Sequence, residues 1–316
     1  MQKRTLGHTQ IKVAPLMFGG NVFGWTLDEA KSFAMLDAYA GAGFDFIDTA
    51  DVYSRFIPGN QGGESETILG KWMKLRGNRD KVILATKVGM EMGEGLQGLS
   101  KAYIFKAVDA SLRRLQTDYI DLYQAHTDDE KTPLEETLDA FAQLIQQGKV
   151  RAIGASNYTP QRLEEALQVS RKNNLPAYQS LQPLYNLSDR AAYEDGLQAV
   201  CQKHGLGVIP YFSLASGFLT GKYRTEADFE NSSRGAFTKH YLNERGLRIL
   251  AALDEVAEAK QTNPAVIALA WLMARPTITA PIASATSLNQ LQDLIYATEI
   301  SLTQEEIDKL DKASAA

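Results

Sequence analysis

The sequence predicts an α/β fold: a (β/α)8 barrel preceded by an N-terminal β-hairpin, with residues 1–316 forming a single domain. Short runs of β-branched and aromatic residues, bounded by turn residues, alternate with longer stretches of helical periodicity, as in repeated strand–helix units. Eight such runs occur, and eight strands each followed by a helix can close into a barrel. Barrels of this length are routinely one domain.

The elements follow in a regular order along the chain. The hairpin is predicted from KRTLG and IKVAP, with its turn near His8. The eight strands are predicted at 16–19, 44–48, 81–86, 119–125, 151–155, 178–182, 206–211 and 277–282. Capping residues predict helix starts at Thr26, Thr132-Pro133, Thr159-Pro160, Asn263-Pro264, Ser287 and Thr303. The first strand runs into Gly19-Gly20 without a G-x-G-x-x-G motif, which disfavours an open dinucleotide-binding sheet.

Composition and charge exclude several classes of function. The chain is 44% hydrophobic and 22% charged, which is typical of a packed globular protein. A net charge of −5 without a basic run argues against a nucleic-acid partner. The single cysteine, Cys201, fits a reducing compartment, and no Cys/His spacing resembles a zinc site. Since no apolar run has the length of a signal peptide or a membrane span, we expect a cytoplasmic protein without a membrane partner.

Polar residues at the strand ends predict the site, because barrels place their chemistry at the C-terminal ends of the strands. Asp48 and Tyr53 follow the second predicted strand, Lys87 the third and His126 the fourth. The Lys87 ammonium would stabilise the Tyr53 phenolate and lower its pKa, while Asp48 would keep Lys87 charged. A neutral His126 could orient a substrate oxygen beside the phenol.

These residues lie in segments that resemble the aldo-keto reductases over nearly the whole chain, among them FIDTADVYS, ATKVG, YIDLYQAH, GKVRAIGASNY and YFSLASGFLTGKY. The resemblance implies that Asp48, Tyr53, Lys87 and His126 form a catalytic tetrad that works without metal. Tyr53 would protonate the carbonyl oxygen of a small aldehyde or ketone while NADPH delivers hydride to the carbon.

The resemblance also implies a set of cofactor contacts. Ser156, Asn157 and Gln179 would hold the nicotinamide carboxamide, and Tyr211 would stack on the ring. The remaining contacts would be Leu214, Ser216, Lys222, Arg234, Ser284, Thr286, Gln290 and Asp293. Leu294 stands where many relatives have asparagine, so NAD stays possible although NADP is expected. Phe23, Trp25 and Phe56 are expected as walls of the substrate pocket.

The same residues bear on three other classes of protein. A Schiff-base aldolase needs a neutral lysine, which Asp48 would oppose. A metal-dependent hydrolase needs several ligands at strand ends, and only His126 of the four histidines lies at one. Potassium-channel β subunits share the implied fold, so a cofactor-binding sensor or accessory subunit is the alternative function.

Overall fold

The structure, a computed structural model, describes residues 1–230 and 235–315. The strands are β1 Arg4–Thr5, β2 Lys12–Val13, β3 Met17–Gly19, β4 Phe46–Asp48, β5 Ile83–Val88, β6 Ile120–Ala125, β7 Val150–Ser156, β8 Ser180–Gln182, β9 Gly207–Val208 and β10 Ile282–Ala283. The α-helices are α1 Glu29–Gly41, α2 Glu64–Arg76, α3 Lys101–Leu115, α4 Leu134–Gln146, α5 Pro160–Lys172, α6 Ala191–Glu194, α7 Leu197–His204, α8 Gly235–Thr238, α9 Glu244–Ala259, α10 Pro264–Met273, α11 Leu288–Tyr296 and α12 Gln304–Ser314. Short 3₁₀ helices lie at Gly20–Val22, Arg79–Lys81, Ala215–Thr220, Glu226–Phe229 and Lys239–Tyr241.

The eight strands from β3 to β10 form one parallel sheet that curls into a barrel. Their order is β10-β3-β4-β5-β6-β7-β8-β9. The two edges meet through backbone hydrogen bonds: the Thr279 N–H donates to the Val208 carbonyl at 2.8 Å, and the Ile282 N–H donates to the Pro210 carbonyl at 2.9 Å. The predicted (β/α)8 architecture is confirmed.

The N-terminal hairpin closes the bottom of this barrel. Its strands β1 and β2 pair antiparallel, with Arg4 opposite Val13. Leu6, Ile11 and Val13 are buried with the interior side chains of the sheet. This inner cluster is completed by Met17, Phe46, Ala85, Leu122, Ala152, Ile209, Ala280 and Ile282. The Arg4 guanidinium also donates to the Ile278 carbonyl at 2.9 Å, so the hairpin is fixed by both apolar and polar contacts.

A second and larger apolar layer lies between the strands and the surrounding helices. It includes the fully buried Trp72 of α2, Phe141 of α4 and Trp271 of α10. Burying large aromatic side chains of this kind contributes a large share of the hydrophobic stabilisation of a fold. Among the described residues, no helix is both long and apolar enough to span a bilayer.

The helix starts follow local capping chemistry. The Thr159, Asn263, Ser287 and Thr303 side chains each accept a backbone N–H from the first turn of α5, α10, α11 and α12. The prediction for Thr26 is wrong by two residues, because α1 is capped by the Asp28 carboxylate, which accepts the Lys31 N–H at 2.8 Å. A carboxylate also interacts favourably with the positive end of the helix dipole.

Several strands are shorter than predicted. Of the predicted segment 206–211, only Gly207–Val208 is regular strand, and of 277–282 only Ile282 is, together with Ala283. Pro210 and Pro281 lie in these segments, and proline cannot donate to a sheet ladder. The backbone of both segments still forms part of the barrel wall, so the architecture is unaffected.

Candidate active site

The four residues predicted for catalysis are brought together at the C-terminal end of the barrel. Asp48 is the last residue of β4, Lys87 lies near the end of β5, and His126 follows β6 directly. Tyr53 stands five residues beyond Asp48, in the loop that leads to α2. Because β4, β5 and β6 are neighbours and parallel, their ends deliver these side chains to one rim.

Lys87 is the centre of the hydrogen bonding. Its Nζ donates to Asp48 Oδ2 at 2.6 Å, to the Thr49 carbonyl at 2.8 Å and to Tyr53 Oη at 2.7 Å. A lysine ammonium has three N–H donors, so all are used. The side chains of Lys87 and Asp48 are 0% and 2% exposed. Burial lowers the pKa of Lys87, and the Asp48 carboxylate opposes that shift and favours the charged ammonium.

Tyr53 is held as a protonated phenol. Its hydroxyl donates to Asp48 Oδ2 at 3.0 Å. Burial raises the pKa of Tyr53 well above its usual value, and the Asp48 carboxylate adds to the rise. The prediction that Lys87 lowers this pKa is therefore wrong for the free protein, because burial and then the negative charge of Asp48 both oppose a phenolate here. Near neutral pH the Tyr53 phenol therefore carries its proton.

His126 faces Tyr53 as a neutral imidazole. The two rings lie 6.0 Å apart, edge to face. Burial lowers the pKa of His126 well below its usual value, and the Lys87 ammonium lowers it further. Within the described chain the buried Nδ1 of His126 has no hydrogen-bond partner. A neutral ring can present one nitrogen as a hydrogen-bond donor.

Ser156 and Asn157 stand beside the tetrad, at the end of β7. The Asn157 amide donates to the His126 carbonyl at 2.8 Å, and the Ser156 hydroxyl donates to the Gln182 carbonyl at 2.8 Å. The Tyr211 hydroxyl, after β9, donates to Asn157 Oδ1 at 2.9 Å. These polar groups and the Tyr211 ring form one continuous rim.

The prediction for Gln179 is wrong in its position. Gln179 precedes β8 at the bottom of the barrel, where its Oε1 accepts the His8 N–H of the hairpin at 3.0 Å. Gln182 is the glutamine at the catalytic end, and its Nε2 donates to Asp48 Oδ1 at 3.0 Å. Its position as the last residue of the predicted strand was the signal that could have identified it.

The turn after β9 carries the predicted residues Leu214, Ser216 and Lys222. Ser216 has a left-handed backbone, with φ at 54°, inside the 3₁₀ segment Ala215–Thr220. The exposed Lys222 ammonium lies 4.9 Å from the centre of the Tyr223 ring. Arg234, predicted for the adenosine end, lies outside the described residues.

The segment after β10 carries the remaining cofactor predictions. The Ser284 hydroxyl donates to the Gly19 carbonyl and to Asn21 Oδ1, both at 2.7 Å, so it lies at the same end of the barrel as the tetrad. Gln290 Oε1 accepts the Thr286 N–H at 2.8 Å at the start of α11. Asp293 lies on the same helix. The N-terminus of a helix favours anions such as phosphate.

Two of the three predicted pocket walls contact each other. Trp25 and Phe56 meet edge to face with ring centres 5.2 Å apart, and Phe56 is 66% exposed. The prediction for Phe23 is wrong, because this ring is fully buried and stacks on Phe18 at 5.5 Å. Phe23 belongs to the apolar core. Its carbonyl accepts the Ser54 hydroxyl, which links the loops after β3 and β4.

The sequence analysis missed a buried polar cluster behind Lys87. Glu66 of α2 accepts the Thr86 hydroxyl and the Arg114 guanidinium, both at 2.6 Å. Asp51 is also buried, and burial together with Glu66 raises its pKa to about 8. Glu66 and Arg114 lie on helices α2 and α3, where a search of strand ends does not reach. Among the described residues, no group of side chains could hold a metal ion.

The fold and this rim define a barrel oxidoreductase, and comparisons with known proteins agree. The profile of the Aldo/keto reductase family matches residues 15–315. The chain is 35% identical to the uncharacterized oxidoreductase YrpG of Bacillus subtilis over 96% of this chain and 93% of that protein. It is 30% identical to L-glyceraldehyde 3-phosphate reductase of Escherichia coli, over 99% of this chain and 92% of that protein. A probable voltage-gated potassium channel subunit beta of Oryza sativa is 32% identical, over 98% of this chain and 96% of that protein.

The protein therefore belongs to the aldo/keto reductase family. It is an NAD(P)H-dependent oxidoreductase.

Proposed function

We propose that this protein reduces aldehyde or ketone carbonyls to alcohols with NADPH, and that Tyr53 is the proton donor. The observation that carries the proposal is the contact of Lys87 Nζ with both Tyr53 Oη and Asp48 Oδ2, at 2.7 and 2.6 Å. A buried phenol in contact with an ammonium can release its proton to a developing alkoxide, since the ammonium then stabilises the phenolate.

The chemistry divides between the cofactor and the protein. When bound, the reduced nicotinamide supplies the hydride. Tyr53 and neutral His126 hold the carbonyl oxygen between them, and the Tyr53 O–H turns from Asp48 toward that oxygen. The proton moves from Tyr53 Oη to the substrate oxygen as negative charge develops there. Lys87 keeps its hydrogen bond to the phenolate, and Asp48 keeps Lys87 charged.

The rim residues fit a pyridine dinucleotide. Asn157, Ser156 and Gln182 offer amide and hydroxyl groups for the carboxamide, and Gln182 takes the role first expected of Gln179. Tyr211 offers an aromatic face for the nicotinamide ring. The orphaned Nδ1 of the buried His126 supports a polar ligand at this place.

The other predicted contacts extend the dinucleotide site away from the tetrad. Leu214 and Ser216 would lie along the pyrophosphate, and Lys222 would lie beyond them, within reach of the 2′-phosphate. Ser284, Thr286, Gln290 and Asp293 would lie at the adenosine end.

The preference for NADPH over NADH rests on charge. Lys222 is exposed, and among the described residues it has no carboxylate partner, so its ammonium is available to a phosphate. Arg234 is the second cation expected at the 2′-phosphate. An additional phosphate near such cations gains charge-assisted hydrogen bonds that NADH cannot make.

The test is a titration of the purified protein with NADPH and with NADH, followed by oxidation of the bound cofactor by 4-nitrobenzaldehyde. We expect tighter binding of NADPH and turnover of the aldehyde. For Tyr53→Phe we expect a loss of reduction of about 10²–10⁴-fold with the cofactor affinity retained, because the phenol acts only in the transition state. Weakened cofactor binding in this variant, or unchanged turnover, would contradict the role of Tyr53.

The second candidate is a cofactor-binding sensor or accessory subunit, and the relatives named as potassium channel subunits favour it. Such a protein would have the same rim residues and would bind NADPH. Turnover distinguishes the two functions: tight NADPH binding with no oxidation by a series of aldehydes and ketones would support the sensor.

A further inference from the structure

The first turn of α2 is tied to the strand that carries Lys87. Glu66, in this turn, is fully buried, and its Oε1 accepts the Thr86 hydroxyl at 2.6 Å. Thr86 precedes Lys87 on β5, and successive side chains of a strand point to opposite faces. Thr86 therefore points outward to α2 while Lys87 points into the barrel, so a displacement of Thr86 would displace Lys87 as well.

Ser65, the neighbour of Glu66, reaches Lys87 by a second route. The Ser65 hydroxyl donates its one proton to the Gly20 carbonyl at 2.8 Å, so its oxygen accepts the Thr49 hydroxyl at 2.7 Å. The Thr49 carbonyl is one of the three acceptors of Lys87 Nζ. Adjacent residues of α2 thus hold both the strand of Lys87 and an acceptor of its ammonium.

Arg114 of α3 holds Glu66 in place. Its Nε donates to Glu66 Oε2 at 2.6 Å, and a buried carboxylate requires such a partner. A Cβ added to Gly63 would overlap the Arg114 side chain, and one added to Gly70 would overlap the Arg114 carbonyl. Both glycines therefore allow α3 to approach this closely. Because both oxygens of Glu66 are used within the protein, Glu66 acts on the site only through other residues.

The charge around Lys87 comes from several elements. Within the described chain, the titratable groups that face Lys87 are Asp48 of β4, Asp51 and Tyr53 of the following loop, Glu66 of α2 and His126 after β6. Burial lowers the pKa of Lys87, and the carboxylates of Asp48 and Glu66 oppose that shift. The pKa of Asp51 is raised to about 8, so Asp51 carries little charge near neutral pH.

We propose that Glu66 is a positioning residue for the reduction: through Thr86 it fixes the Lys87 ammonium beside Tyr53 Oη, and its negative charge favours that ammonium. This inference rests on the proposed function, because it assumes that Tyr53 gives up its proton beside a charged Lys87. Proton transfer is sensitive to this geometry, since a misplacement of about 1 Å caused by a distant substitution can cost about 10²-fold in rate.

The first experiment tests the charge by single-turnover reduction of 4-nitrobenzaldehyde with NADPH-loaded protein across pH. Burial lowers the pKa of Lys87 and raises that of Tyr53, so Lys87 loses its proton first and defines the alkaline limb of the rate profile. Glu66→Gln keeps an acceptor for Thr86 and removes the charge. We expect the alkaline limb to move about one pH unit lower, with the NADPH dissociation constant within about twofold of the wild type.

The second experiment tests the position with the same assay. Thr86→Val keeps the volume of the side chain, removes its hydrogen bond and leaves the ion pair of Glu66 with Arg114. We expect the rate constant to fall about tenfold at every pH, with the alkaline limb unmoved. Thr86→Ser restores the hydroxyl and should react within about twofold of the wild type. This pair tests the role of Glu66 even where Glu66→Gln folds poorly.

Asp121→Asn is the matched control for lost stability. Asp121 is a buried carboxylate at the start of β6, at the opposite end of the barrel, where it accepts Arg79 at 2.8 Å and Arg151 at 2.5 Å. This variant should unfold more easily and keep the wild-type rate and pH profile.

Three results would overturn the inference and leave the proposed function standing, provided that the wild type reduces the aldehyde. They are an unmoved alkaline limb in Glu66→Gln, a wild-type rate in Thr86→Val, and a change of rate and pH profile in Asp121→Asn equal to that in Glu66→Gln. A wild-type protein that binds NADPH and reduces no aldehyde would overturn the proposed function and this inference with it.

Discussion

At the residue scale, Lys87 and Asp48 form a buried ion pair that serves both the fold and the chemistry. Removing one member of such a pair leaves the other charge buried without compensation, at a cost of about 3–5 kcal/mol. For Lys87→Met we expect lower stability, and a fall in carbonyl reduction of about 10²–10³-fold because the phenolate loses its ammonium. Urea unfolding and single-turnover reduction measure the two effects.

A double variant separates these effects. Asp48→Asn combined with Lys87→Met removes both charges, so much of the lost stability should return while the reduction rate stays low. If the double variant recovered activity as well, Lys87 would have only a structural role.

Asp51 provides a prediction for the dependence of stability on pH. In the folded chain its carboxyl keeps its proton up to about pH 8, whereas in the unfolded chain it ionises near pH 4. Between these values the folded state binds more protons, so the stability that this group contributes below pH 4 is lost as the pH rises to 8. Asp51→Asn does not ionise and should avoid that loss.

The measurement is the free energy of unfolding of the wild type and of Asp51→Asn at pH 5 and pH 8. From pH 5 to pH 8, we expect the free energy of unfolding of the variant to rise by about 2–4 kcal/mol relative to that of the wild type. Parallel pH profiles for the two proteins would mean that Asp51 is ionised in the folded chain.

Residues that lie at strand ends could be predicted, whereas residues whose environment depends on packing could not. Asp48, Lys87 and His126 follow recognisable strands, and the barrel topology alone brings such residues together. Gln179 precedes the short strand β8 and Gln182 ends it. Only the exact ends of this strand decide which glutamine lies at the bottom of the barrel and which at the catalytic rim. The burial of Phe23 depends on its contact with Phe18 across a turn, which no local pattern indicates.

At the element scale, helix α2 carries part of the site, and its position depends on a close approach to α3. A Cβ added to Gly70 would lie 2.2 Å from the Arg114 carbonyl oxygen. Gly70→Ala should therefore push the two helices apart and destabilise the fold by about 1–3 kcal/mol. Ser65 of α2 shares a hydrogen bond with Thr49, whose carbonyl accepts Lys87, and Glu66 accepts the Thr86 hydroxyl. We therefore also expect slower reduction.

Gly41 is the matched control for this prediction. It lies in the last turn of α1, and a Cβ added to it would have no neighbour within 4 Å. Gly41→Ala should be neutral or stabilise the fold by about 0.5–1 kcal/mol, since alanine favours the helix. Thermal and urea unfolding of the two variants compare them directly, and a similar effect at both positions would mean that the contact with α3 is not the cause.

Helix starts were predicted more accurately than strand ends for a physical reason. Thr159, Asn263, Ser287 and Thr303 satisfy backbone N–H groups three residues away, so the signal is local in the sequence. A strand ends where its neighbour stops accepting hydrogen bonds, and that neighbour can be far away in the chain. Even a cap can be misassigned where two candidates are close, as with Thr26 and Asp28.

At the scale of the whole molecule, cofactor binding should stabilise the barrel. The proposed contacts come from the ends of β7, β8, β9 and β10, so a bound dinucleotide would join segments that are distant in sequence. NADPH at 100 times its dissociation constant should raise the free energy of unfolding by about 2.7 kcal/mol. Thermal unfolding with NADPH and with NADH measures this effect and ranks the two cofactors.

Tyr53→Phe is the control for that measurement. It should show the same thermal shift as the wild type, because the phenol hydroxyl is not required for binding the cofactor. The absence of any shift in the wild type would contradict a dinucleotide site.

The hairpin that closes the barrel also determines when folding can finish. Residues 4–13 pack against the interior and bond to the backbone of Met273 and Ile278, some 270 positions later in the chain. During synthesis this earliest segment must stay without its final partners until the last strand has left the ribosome. Contacts between residues so far apart in sequence are typical of slow folding. The two ends of the barrel wall therefore join late, and the apolar interior stays open to solvent until then.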